Sequence, residues 1–138
     1  MQLYELDSFC FNRVYVVFTD NTSLWWLKIF KPGFRHCYVI LEFGNEFWLE
    51  LNPFSNRLVV RIYPHYADSD YISYLKENYP VTILEVEIDN VPLKCAPLSA
   101  FTCVEFVKRM LGIHDVLVLS PYQLYKKITN CRKKVLTL

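Results

Sequence analysis

The stretch Phe34 to Leu51 reads FRHCYVILEFGNEFWLEL. Two runs rich in aromatic and β-branched residues, Phe34–Phe43 and Glu46–Leu51, flank the turn residues Gly44-Asn45. Such a pattern predicts a β-hairpin. Upstream, Arg13 to Thr19 (RVYVVFT) reads as another strand, and Asp20-Asn21-Thr22-Ser23 is a polar stop that can cap a short helix over Leu24–Phe30 (LWWLKIF). Lys31-Pro32-Gly33 ends that helix, because proline cannot continue it and glycine tolerates the turn. Trp25 and Trp26 read as core anchors. Downstream, Asn52-Pro53-Phe54-Ser55-Asn56 turns the chain into a third strand, Arg57–Tyr63 (RLVVRIY). Asp68–Tyr79 is expected to be helical, with Asp68 or Ser69 as its cap and Tyr71, Ile72 and Leu75 on one face. Val81–Ile88 (VTILEVEI) is a further strand.

The second informative stretch is Thr102–Gly112 (TCVEFVKRMLG). Thr102 followed by Glu105 forms a capping box, so a helix starts at Cys103. Val104, Phe106, Val107, Met110 and Leu111 carry its apolar spacing, and Gly112 supplies its stop. Ile113–Leu119 reads as a short strand or extended segment. Ser120-Pro121 then opens a last helix, with serine as cap and proline in the first turn. These elements predict an α+β fold: a small antiparallel sheet packed against the C-terminal Cys103 helix, with two or three further helices. Residues 1–138 are read as one domain, with a basic tail over 126–138 that holds Lys126, Lys127, Arg132, Lys133 and Lys134.

Composition narrows the function. The chain has 138 residues, 53% hydrophobic and 21% charged, which suits a packed core rather than disorder. Its three glycines, Gly33, Gly44 and Gly112, are far apart and exclude a glycine-rich phosphate cradle. The net charge of +1 gives no reason to expect nucleic acid as a partner. The longest apolar runs, such as Val14–Phe18, fall well short of the ~20 residues of a membrane span, so no transmembrane segment is expected. Met1-Gln2-Leu3-Tyr4-Glu5 shows no secretory pattern. The five cysteines, an odd number without a CxxC pair, point to free thiols made in a reducing cytoplasm and to no zinc site.

Cys103 is the thiol best placed for chemistry. A helix N-terminus offers unpaired N–H groups and partial positive charge, and both favour a thiolate. The Cys103 N–H is also placed to donate to an oxyanion. A small residue at a buried helix start is the plainer alternative. Of the three histidines, His36 lies on a strand, which fixes a side chain better than the loop carrying His65. His114 lies past the far end of the Cys103 helix, roughly 16 Å away at about 1.5 Å per residue. A third polar group usually orients such an imidazole. A two-residue hairpin turn sets Pro53 opposite His36. A three-residue turn sets Phe54 there and makes Asn52 a same-face diagonal neighbour. Asn52 reads equally as an ordinary turn residue before proline. Glu50 shares its face but lies further along the strand. Cys37 points to the opposite face from His36, Cys95 lies in a Pro-flanked loop, and Cys10 and Cys131 lie near the termini.

The order of these residues resembles a known superfamily. A histidine on a strand, a hairpin, a polar residue on the next strand and a cysteine opening a later helix are similar to the circularly permuted NlpC-type papain-like thiol hydrolases, which include lecithin–retinol acyltransferase-like proteins. Phe101–Val107 (FTCVEFV) resembles the superfamily's Cys-helix motif. Gly33-Phe34-Arg35-His36-Cys37, Leu51-Asn52-Pro53 and Ser120–Tyr125 (SPYQLY) resemble segments of small phage-encoded members. The resemblance implies Cys103 as nucleophile, His36 as base and Asn52 as orienter, with no metal and no organic cofactor. It implies an amide or peptide substrate, plausibly in cell-wall peptide, with lipid ester as second choice. The rival reading is a phage virion structural or interaction protein that keeps the scaffold and binds protein partners through its aromatics.

Overall fold

The structure is a computed structural model and describes residues 13–22, 24–44, 46–65, 70–87, 102–131 and 136–137. The fold is α+β. Strands β1 (Arg13–Thr19), β2 (His36–Phe43), β3 (Phe47–Pro53), β4 (Leu58–Pro64), β5 (Thr82–Val86) and β6 (Leu136–Thr137) form one sheet. Its order is β4-β3-β2-β1-β5-β6, and every neighbour is antiparallel. The helices are α1 (Tyr71–Asn78), α2 (Cys103–Met110) and α3 (Pro121–Cys131). Among the described residues no helix is long and apolar enough to cross a membrane.

Strand alternation sorts the core into two layers. Val14, Val16 and Phe18 of β1 and Cys37, Val39 and Leu41 of β2 pack with Val104, Val107 and Leu111 of α2 and its exit and with Leu124 and Ile128 of α3. Tyr15, Val17, Tyr38, Ile40 and Trp48 face the other way and pack with Ile72 and Leu75 of α1. β1 and β2 are therefore covered on both faces, which explains why their sequences run apolar without alternation.

Most of the expected elements are present with shifted ends. The hairpin loop spans residues 44–46, with Phe43 paired to Phe47 and Gly44 at φ 54°, a left-handed value that favours glycine. β3 runs on to Pro53, because Asn52 pairs with Val59 and Pro53 with Leu58 of β4. Asn52 is thus a strand residue. α1 is capped by Asp70, whose carboxylate accepts from the Ile72 N–H at 3.0 Å. The expected caps Asp68 and Ser69 lie outside the described residues, as do Cys10, Cys95 and Arg132–Lys134 of the tail.

Two expectations fail. The short helix expected over Leu24–Phe30 is present as a 3₁₀ helix over Trp25–Ile29, but it buries only Leu27. Trp25 and Trp26 are 80% and 44% exposed, so neither anchors the core. A single tight turn turns only one side chain inward. Ile113–Leu119 forms no strand. The Asp115 carboxylate accepts from the Leu117 N–H at 3.0 Å, an Asx turn that bends the run and leaves Val118 alone fully buried among residues 116–119.

Candidate active site

α2 begins where its cap dictates. Thr102 is extended, and its Oγ1 accepts from the Glu105 N–H at 3.1 Å. Cys103 is consequently the first helical residue, and its sulfur enters the apolar layer between α2 and the sheet. The Glu105 carboxylate accepts from Lys108 Nζ at 2.8 Å and Arg109 Nε at 3.1 Å, forming a buried pair with Lys108. Behind it the helix closes in a Schellman motif: Ile113 N–H bonds Lys108 O, Gly112 N–H bonds Arg109 O, and Gly112 has φ 67°.

The start of β2 is pinned from several sides. Arg35 N–H donates to Thr19 O at 3.1 Å, and Gly33 N–H donates to the Asp20 carboxylate at 2.6 Å. The Phe34 ring packs on Phe18, Tyr122 and Tyr125, which ties the strand's entry to α3. His36 follows and is 6% exposed. Its ring stacks on Tyr38 at 6.2 Å and Phe54 at 5.7 Å. The three-residue loop places Asn52 on the diagonal of His36, and His36 Nε2 lies 2.7 Å from Asn52 Oδ1. Of the two hairpin registers open in the sequence, this is the second.

His36, Asn52 and Cys103 are brought together. His36 and Cys37 point to opposite faces of β2, yet Cys103 interacts with both. A group can do so only at the strand's end, where the sheet no longer separates its faces. Hydrogen bonding from the Cys37 thiol, then from His36 together with the charge of its ring, overcomes burial and lowers the Cys103 thiol to about 4. Burial pushes His36 down, but hydrogen bonding and charge from Cys103, aided by Asn52 and Glu50, hold it above its ordinary value. Cys37, fully buried, is raised well above the usual thiol range by burial and by Cys103. Each shift favours the charged form of its group, thiolate at Cys103 and imidazolium at His36.

Two contributors were not picked out from the sequence. Cys37 faces the layer that holds α2, a consequence of its parity relative to His36 that alternation alone could have exposed. Glu50 is 4% exposed and sits behind Asn52, accepting from Asn52 Nδ2 at 3.3 Å. It also accepts from the Arg61 guanidinium at 2.6 Å and the Tyr71 hydroxyl at 3.1 Å. A cleft of about 610 Å³ opens on this side, lined by His36, Asn52, Phe54, Arg61 and several tyrosines of β2, β4 and α1. His65 stacks on Trp48 at 5.4 Å and lies 4.0 Å from Glu42, while His114 is exposed beyond the far end of α2. Among the described residues no group of three His, Cys, Asp or Glu side chains could hold a metal ion.

The site thus defines a class by geometry: an α+β domain with a cysteine at a helix start, a strand histidine and an asparagine behind it. Compared with known proteins, the chain matches no family model, no curated protein and no solved structure.

Proposed function

We propose that the chain is a thiol hydrolase that cleaves amide or peptide bonds through Cys103, His36 and Asn52. The observation that carries this reading is geometric: Cys103 opens the capped helix α2, and the strand histidine that interacts with it, His36, has its Nε2 held 2.7 Å from Asn52 Oδ1. The Cys103 thiolate attacks the substrate carbonyl carbon, and the developing oxyanion faces the Cys103 N–H at the start of α2. His36 gives its proton to the leaving amine as the C–N bond breaks, leaving a thioester on Cys103. Neutral His36 then takes a proton from water, which attacks the thioester and releases the acid. Asn52 accepts from the His36 Nε2–H throughout and keeps the other ring nitrogen toward sulfur. The resemblance to permuted papain-like hydrolases points to cell-wall peptide as substrate and to lipid ester as second choice.

A second reading has its own observation. Leu58, Val60 and Ile62 of edge strand β4 are 43%, 53% and 65% exposed on one face, an apolar strip suited to a protein partner such as a virion component. The test is acyl trapping: the chain is mixed with an activated peptide ester, quenched in acid and weighed intact. The hydrolase reading expects an acyl adduct on Cys103 that accumulates, decays with time and is missing in Cys103→Ala. An adduct that fails to form, or forms equally in Cys103→Ala, overturns it.

A further inference from the structure

We propose that Glu50 is the positioning carboxylate of this site, fixing through Asn52 which nitrogen of His36 faces Cys103 and supplying the negative charge that Asn52 lacks. The proposal rests on the thiol-hydrolase reading above. An asparagine side chain has an acceptor end and a donor end of nearly equal shape, and an imidazole has two tautomers. A carboxylate can only accept. With Glu50 Oε1 at 3.3 Å from Asn52 Nδ2, the amide must turn its donor end to Glu50 and its oxygen to His36. That oxygen can only accept, so Nε2 of His36 carries the hydrogen. Nδ1 is then the nitrogen left for the thiol. The sequence of constraints runs carboxylate, amide, imidazole, sulfur, and each link leaves the next a single choice.

Glu50 itself is held from four sides. Arg61 NH1 donates at 2.6 Å and Asn52 Nδ2 at 3.3 Å to Oε1, while the hydroxyls of Tyr71 and Tyr63 lie 3.1 and 3.4 Å from Oε2. These partners come from β3, β4 and α1, so three elements clamp one carboxylate. Among the described residues the other titratable groups around His36 are Cys103 and Cys37 on the α2 side and Asp20, Tyr38, Tyr74 and Tyr79 lining the cleft. Glu50 is the acid nearest in the hydrogen-bond chain, and its charge favours the imidazolium form of His36. A neutral third residue backed by a charged fourth does in two steps what an aspartate does in one.

The test uses the full chain. Cys103 alkylation by iodoacetamide is followed against pH in wild type, His36→Ala and Glu50→Gln. The proposal expects Glu50→Gln to move the low-pH limb of the profile up by about one unit, roughly a tenfold slower labelling on that limb, with the circular dichroism unchanged. A reactive, His36-dependent Cys103 whose profile Glu50→Gln leaves in place overturns the Glu50 proposal alone. A Cys103 that labels as an ordinary thiol in wild type, indifferent to His36→Ala, overturns the hydrolase reading and this proposal with it. Imidazole ¹⁵N shifts need no change at Glu50. In Cys103→Ala, where no thiol competes for the proton, His36 is expected as the Nε2–H tautomer, and the Nδ1–H tautomer overturns the proposal.

Discussion

The two faces of the sheet are built from different materials. The face under α2 and α3 is closed and mostly aliphatic, with Phe18 among its buried residues: Val16, Val39, Leu84, Val107, Leu124 and Ile128 are all at most 1% exposed. The face under α1 is aromatic and polar, with Trp48, Tyr38, Tyr63 and Tyr71 around the Glu50–Asn52–His36 chain. Among the described residues one short helix covers it, and the cleft opens beside that helix. The difference assigns separate tasks. The α2 face supplies rigidity and the helix end that holds Cys103; the α1 face holds His36, Asn52 and Glu50 and opens into the cleft. The site stands at the start of β2, where Cys103 reaches both His36 and Cys37.

The comparison can be broken most sharply at the residues that meet. Cys103→Ala should abolish turnover, and His36→Ala should lower it by roughly 10²–10⁴-fold, the usual worth of a general acid–base, both read by steady-state hydrolysis. Next come the faces themselves. Leu124→Ala should destabilise the chain by about 2–5 kcal/mol, because the closed aliphatic face has no solvent to fill the cavity. Leu75→Ala under α1, on the more open face, should fall at the low end of that range, read by urea denaturation. Equal losses on the two faces would erase the distinction drawn here. Asn52→Ala should reduce turnover roughly tenfold to 100-fold through the loss of one hydrogen bond to a charged ring, with turnover number falling and KM steady. Smallest is Thr102→Ala, expected to cost about 1 kcal/mol by removing the α2 cap.

Acidity gives a further handle on the same junction. The Cys103 thiol is depressed in the folded chain, so its contribution is present above the ordinary thiol range, about 8.5, and is lost as pH falls toward about 4. His36 is raised, so its contribution is present below its ordinary value and is lost as pH climbs past it. Cys103→Ser should flatten both slopes, read as unfolding free energy against pH.

Much of this was legible in the sequence, and for identifiable reasons. The hairpin carried its own turn, and the parity of its strands made Asn52 a diagonal partner of His36 once the loop proved to be three residues long. The Cys103 helix carried both its cap and its glycine stop. What stayed hidden depends on packing between segments distant in the chain. Nothing near Trp25 and Trp26 reveals that a single 3₁₀ turn leaves them outside. Nothing local to Glu50 reveals Tyr71, twenty-one positions away on α1. Cys37 differs from these: it faces away from His36 by strand parity, which the sequence shows, and that orientation brings it to Cys103.

The central claim is that Cys103 and His36 act as one ionised pair. The most direct measurement is the rate of Cys103 alkylation between pH 3 and 10, in wild type and His36→Ala, with the labelled site read by peptide mass. The account predicts a wild-type profile whose thiolate limb lies near 4 and moves toward about 8.5, the free-thiol value, in His36→Ala. A wild-type midpoint near the free-thiol value, unmoved by loss of His36, would contradict it.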